Sequence, residues 1–200
     1  LNHVITGTLF NFPLEVQKYK AKKKMEERTQ CIVYYDNSRD KKVLLTLFRF
    51  LARRNTNYMY VDYNKDIKDC GDYNEIFEEG LYVIALTGKG SSEFLYNAMS
   101  SNLPIFYWDQ KYMDENVHFK KLKPMNTIDV WDEENCGVRI TGGNELEKGF
   151  LKFITNLAKY KPRKVMLENF TNIVCAKKLK NIIIQMEKQV SDNFGNLMTD

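Results

Sequence analysis

Residues 81–109, LYVIALTGKGSSEFLYNAMSSNLPIFYWD, constrain this chain more than any other segment. An apolar run from Leu81 precedes a glycine–serine stretch, a helical pattern, a turn and a second apolar run ending at Trp108. Strands that read as unbroken apolar runs belong to a sheet covered on both faces. A helix that opens behind Gly88, Gly90, Ser91 and Ser92 presents unsatisfied backbone N–H groups and the positive end of its dipole. Both favour an anion. The segment therefore points to an α/β domain that holds the phosphates of a nucleotide-linked substrate.

The rest of the chain repeats the alternation. Cys31 to Tyr35 is β-branched and aromatic and predicts a central strand. Val43, Leu44, Leu47, Phe48 and Leu51 fall at helical spacing, and Tyr58 to Val61 reads as the next strand. Asp62 to Glu79 predicts a loop with a short helix around Ile76 and Phe77, and Gly137 to Ile140 an edge strand. Asn144 with Glu147 three residues on has the spacing of a capping box, opening a helix with Leu146, Phe150, Ile154 and Leu157 buried. Pro162 breaks that helix, and Thr171 caps a last one with Val174, Leu179, Ile182, Ile183 and Met186 inward. At the other end, His3 to Thr6 fits a short strand and Pro13 opens a polar helix to about Arg28. Asp109 to Asn135 has weak periodicity and reads as a long excursion. The expected fold is α/β, a Rossmann-like parallel sheet with helices on both faces. It forms a single domain over residues 1–200, with 1–30 as an N-terminal extension and 190–200 as a polar tail.

With 44% hydrophobic and 28% charged residues, the 200-residue chain is of globular rather than disordered type. A net charge of +4 is compatible with anionic ligands but far below that of a DNA-coating protein. The basic run Lys18 to Lys24, KYKAKKK, reads either as the solvated face of a helix or as a patch for anionic lipid or nucleic acid. Cys31, Cys70, Cys136 and Cys175 show no metal-ligand spacing and fit reduced thiols in a cytoplasmic protein. No apolar run approaches the roughly 20 residues of a membrane span. The chain opens at Leu1 rather than Met, as an excised or processed domain would.

In a parallel sheet the ligand sits beyond the carboxyl ends of the strands. Asp36, Asn37 and Ser38, Asp62, Thr87 to Ser92, Trp108 and Asp109, and Thr141 to Gly143 follow those ends. Among them, Ser91-Ser92-Glu93, then Asn97-Ala98-Met99, then Asn102-Leu103-Pro104-Ile105 resembles the donor-binding half of GT-B glycosyltransferases. There, a glycine- or serine-rich loop opens a helix that ends in a Glu-Ala-Met-like triplet, a turn and a buried strand. Physically, Ala98 lets the helix lie close to the sheet, Asn102 can take the left-handed conformation that ends it, and Pro104 stops it. Asn37 to Lys42 is similar to the family loop whose Arg and Lys neutralise the donor diphosphate. Tyr160 to Arg163, Asn169 to Thr171 and the long helix after them resemble the family's C-terminal end. The similarity spans about Cys31 to Gln189. The same segment is similar to the Ser-Ser loop of glycerophosphate transferases that make teichoic acids, which share the architecture.

The resemblance implies a glycosyltransferase that uses a nucleoside-diphosphate sugar as donor substrate, with no cofactor, and a carbohydrate or glycan acceptor. Arg39, Lys89, Gly90, Ser91 and Ser92 would hold the donor phosphates, and Glu93 and Asn97 the nucleoside ribose. Trp108 would stack on sugar or base. Many retaining members carry two glutamates eight positions apart, where this chain has Lys89 and Asn97. Inversion is therefore expected, with Asp109, His118 or His3 as the base that deprotonates the acceptor hydroxyl. The blander readings are an exposed Arg39 bridging Asp36 or Asp40, serines that only cap the helix, and surface histidines. Asp36, Asp40, Asp62, Asp66 and Asp69 are too scattered for a metal site. A complete enzyme of this type has two such domains, so the acceptor half would lie elsewhere in a longer polypeptide or in a partner. The competing readings are a non-catalytic α/β module that binds a glycan or a partner, and a polyol-phosphate transferase on the same fold.

Overall fold

A computed structural model describes residues 13–20, 22–35, 40–67, 73–86, 92–108 and 132–197. Five strands, β1 (Gln30–Tyr35), β2 (Tyr58–Asp62), β3 (Gly80–Leu86), β4 (Ile105–Trp108) and β5 (Gly137–Ile140), form one sheet. Their order is β2-β1-β3-β4-β5 and every pairing is parallel. The expected Rossmann-like, doubly wound sheet is thus present, with β5 at one edge as the sequence predicts.

Alternation along the strands builds two cores. Ile32, Tyr34, Val83, Ala85, Ile105 and Tyr107 face one side, with helices α2 (Asn74–Glu79), α3 (Ser92–Ser100) and α6 (Pro162–Asn169). Cys31, Val33, Tyr35, Ile84, Phe106 and Trp108 face the other, with α1 (Lys41–Arg53) and α5 (Leu146–Thr155). Tyr34 stacks on Phe94 with ring centroids 4.2 Å apart, so the first core is pinned at the centre of the sheet. A one-turn α4 (Glu133–Cys136) leads into β5. Ala98 is fully buried and Asn102 has φ 61, as the helix-to-strand turn requires.

Three expectations are corrected. The polar helix from Pro13 to Arg28 is absent: the described residues there hold a turn at 16–19 and a single 3-10 turn, Met25–Glu27. Val16 and Tyr19 are buried and Leu14 packs partly against the same core, and Leu14 N donates to Phe170 O at 2.9 Å rather than into a helix. In α5, Phe153 is buried and Ile154 is 37% exposed. The helix starts at Leu146 behind a 3-10 turn, Gly143–Glu145, and Glu145 rather than Glu147 caps backward, accepting from Thr141 N and Gly142 N. The last helix, α7 (Asn172–Leu197), runs through residue 191 and onward, and its expected inward stripe is largely outward. Leu179, Ile183 and Met186 are all exposed, because both faces of the sheet are already covered. The helix is tied to α6 through Cys175 and Lys178, which bond to Asn169. No helix among the described residues is long and apolar enough to cross a membrane.

Candidate functional site

The strand order reverses between β1 and β3, and that reversal is where a doubly wound sheet opens a crevice for ligand. Tyr35 ends β1 and stands in register with Leu86, which ends β3. The two strand ends are thus neighbours at the usual spacing of about 4.8 Å. Residues 36–39 and 87–91 follow these ends in sequence and lie outside the described residues. The two helices that succeed them begin at Lys41 and Ser92. Asp40 caps the first, its carboxylate accepting from Lys42 N at 2.8 Å. In a parallel α/β unit both helix N-termini lie on the carboxyl edge, so two positive dipole ends serve one side of the sheet.

Of the residues expected at the site, His3, Arg39, Lys89, Gly90, Ser91, Asp109 and His118 lie outside the described residues. Ser92 is the first residue of α3. Glu93 is exposed in the first turn of that helix, where its charge complements the dipole. Asn97 lies four positions on, on the same face, and is 5% exposed. Trp108, expected to stack on sugar or base, is 5% exposed. Its side chain belongs to the apolar cluster of Val138, Ile140, Leu146 and Phe150. A Cβ at Gly143 would meet its ring at 3.6 Å, an ordinary contact.

Asp62 is among the residues expected beyond the strand ends, though with no role assigned to it there. It ends β2 in register with Tyr35, and only 4% of it is exposed. Tyr60 donates its hydroxyl to Asp62 Oδ2 at 3.3 Å, and Asp62 N donates to Asp66 Oδ2 at 2.8 Å. Burial pushes the Tyr60 phenol up to about 12, with the Asp62 charge adding to the shift. The phenol therefore stays a donor throughout the neutral range. Asp62 thus stands at the carboxyl end of the strand beside the switch-point strand. The signal in the sequence was the acid closing the run Tyr58 to Val61, which reads equally well as the start of a loop.

Comparison with models of known protein families, with curated proteins and with solved structures finds no match.

Proposed function

We propose that this domain binds a nucleoside-diphosphate sugar at the carboxyl edge of its sheet and passes the sugar to an acceptor hydroxyl, as the donor half of a GT-B type glycosyltransferase. The observation that carries the reading is the register of Tyr35 with Leu86, which joins the Arg39 segment and the Gly88–Ser92 segment to adjacent strand ends. Arg39 and Lys89 then supply charge for the diphosphate. Gly90, Ser91 and Ser92 supply close backbone approach and N–H donors. Glu93, Asn97 and the buried Asp62 are the acceptors for ribose hydroxyls.

Transfer needs the leaving diphosphate stabilised and the acceptor hydroxyl deprotonated. Cations and two helix N-termini meet the first need electrostatically. Asp109, His118 or His3 meets the second as general base. With Lys89 and Asn97 at the positions of the paired glutamates, displacement is direct and the anomeric centre inverts. The acceptor half belongs to a further domain of the polypeptide or to a partner. Buried free thiols at Cys31, Cys136 and Cys175 fit a reducing, cytoplasmic setting.

A thermal-shift panel of nucleoside diphosphates and their sugars tests the reading. One nucleotide at about 100 times its dissociation constant should stabilise the fold by about 2.7 kcal/mol. Indifference to every nucleotide favours the non-catalytic glycan- or partner-binding module instead.

A further inference from the structure

The basic run that the donor site leaves unused forms one wall of a second concavity. A cleft of about 560 Å³ opens where Lys20, Lys23 and Lys24 approach Lys161, Arg163 and Lys164 at the start of α6. Arg28 lies between the two walls, two residues ahead of β1. Its guanidinium donates to Ser101 O at 3.2 Å and Gly80 O at 3.4 Å, at the starts of the β4 turn and of β3. Asn102 accepts from Arg163 N at 3.3 Å. All these anchors sit at strand beginnings, so the cleft occupies the amino edge, opposite the switch point.

Its charge is poorly compensated. Seven cationic residues line it against one carboxylate, Glu168. Lys164 pairs with Glu168 and Lys23 with Glu79 just outside. Arg28 and Arg163 bond to carbonyl oxygens of residues 16, 23, 80, 100 and 101, contacts that satisfy donors without cancelling charge. Lys20, Lys24 and Lys161 make no ion pair with any described residue. Like charges gathered in a concavity focus a positive field and favour a multivalent anion. The volume suits a small molecule. The lining offers Met25 and Leu167 but no aromatic ring, so it lacks the stacking surface that single-stranded nucleic acid uses.

We propose that this cleft binds the phosphates of a multiply phosphorylated small molecule, either free or as a lipid headgroup. Calorimetry of the whole chain with inorganic tripolyphosphate is the test. The triple variant K20Q/K24Q/K161Q should weaken binding at least about tenfold, while K177Q/K180Q/K188Q on α7, with the same change in net charge, leaves it unchanged. Phosphatidylcholine vesicles with a bisphosphorylated phosphoinositide separate the sources: retention that the cleft variant abolishes identifies a headgroup, and its absence a free ligand. No binding of tripolyphosphate overturns the proposal. So does binding that survives the cleft variant but is lost in Arg39→Ala, because it then belongs to the switch-point site. Single-stranded RNA that displaces tripolyphosphate and depends on the same lysines overturns it in favour of nucleic acid.

Discussion

The backbone of Gly137 passes so close to Ile105 that a Cβ built on it would lie 2.0 Å from the Ile105 carbonyl oxygen. Its φ of +139 is also one that side chains of L-residues rarely adopt. The two residues are register partners where β5 joins the sheet. Gly137→Ala must therefore strain the backbone and push two strands apart, a loss of roughly 2–5 kcal/mol. Urea unfolding should show a lower midpoint with little change in slope. A variant within about 0.5 kcal/mol of the parent would mean that the strand junction is not as tight as described.

If the domain binds a donor as proposed, Arg39 is the group whose removal should be felt most by the diphosphate. Arg39→Ala is expected to weaken nucleoside-diphosphate binding by about 1.5–3 kcal/mol, the worth of a hydrogen bond to a charged group. Isothermal calorimetry reads this directly. Unchanged affinity removes Arg39 from the donor site and returns it to the role of an exposed loop arginine.

Two buried thiols make stability depend on alkaline pH. Burial pushes Cys31 up to about 12, against a smaller opposing hydrogen bond from Tyr82, and pushes Cys136 up to about 11. The unfolded thiol titrates near ~8.5. Raised native values mean that the stabilisation is complete below the unfolded value and is lost as pH climbs toward the native ones. Unfolding free energy should fall by about 1–2 kcal/mol per pH unit between roughly pH 9 and 10.5. The slope should flatten in a C31A/C136A variant, and an equally steep profile there would assign the loss to other groups.

The sheet was legible in the sequence because its strands are apolar on both faces and bounded by turn residues. The expected ends of β1, β3, β4 and β5 lie within two residues of the observed ones. Once strands alternate with helices, the crossover rule fixes which edge the carboxyl ends of β1 and β3 share, so the neighbouring of Tyr35 and Leu86 was legible too. Side-chain fates were less so. Trp108 ends a strand, and nothing local says that it will join the apolar cluster of Leu146 and Phe150. The stripe on α7 has the helical period, but a period announces an apolar face and not a partner for it. Asp62 was legible as a residue at a strand end, but not its bonds with Tyr60 and Asp66, which come from the fold and not from any motif.

Arg28 joins three separate segments at the amino edge. It is 7% exposed, and its guanidinium bonds to the carbonyls of Lys23, Gly80 and Ser101. Arg28→Met keeps much of the volume but leaves those carbonyls without their donor. A loss of about 2–4 kcal/mol is expected by urea unfolding, and Arg28→Lys should rescue little, since an ammonium cannot span all three. Full stability in the methionine variant would show that water replaces the guanidinium at no cost.

In the proposed transfer the acceptor hydroxyl is too weak a nucleophile to attack the anomeric carbon with its proton in place, so one side chain takes that proton directly or through one water. In sequence, Asp109 follows the end of β4, His118 lies further along the chain, and His3 is near the first residue. Replacing the true base with alanine should cut turnover by on the order of 10²–10⁴ while donor affinity stays nearly intact, because the base touches the acceptor and not the diphosphate. Direct displacement also fixes the stereochemistry. The C–O bond to the acceptor forms on the face opposite the departing diphosphate, so NMR of the new linkage should show an inverted anomeric centre. A retained configuration would require a covalent or ion-pair intermediate and would overturn the assignment drawn from Lys89 and Asn97. Should all three alanine variants keep full turnover, none of them is the base: it lies outside this chain, or the chain is no transferase.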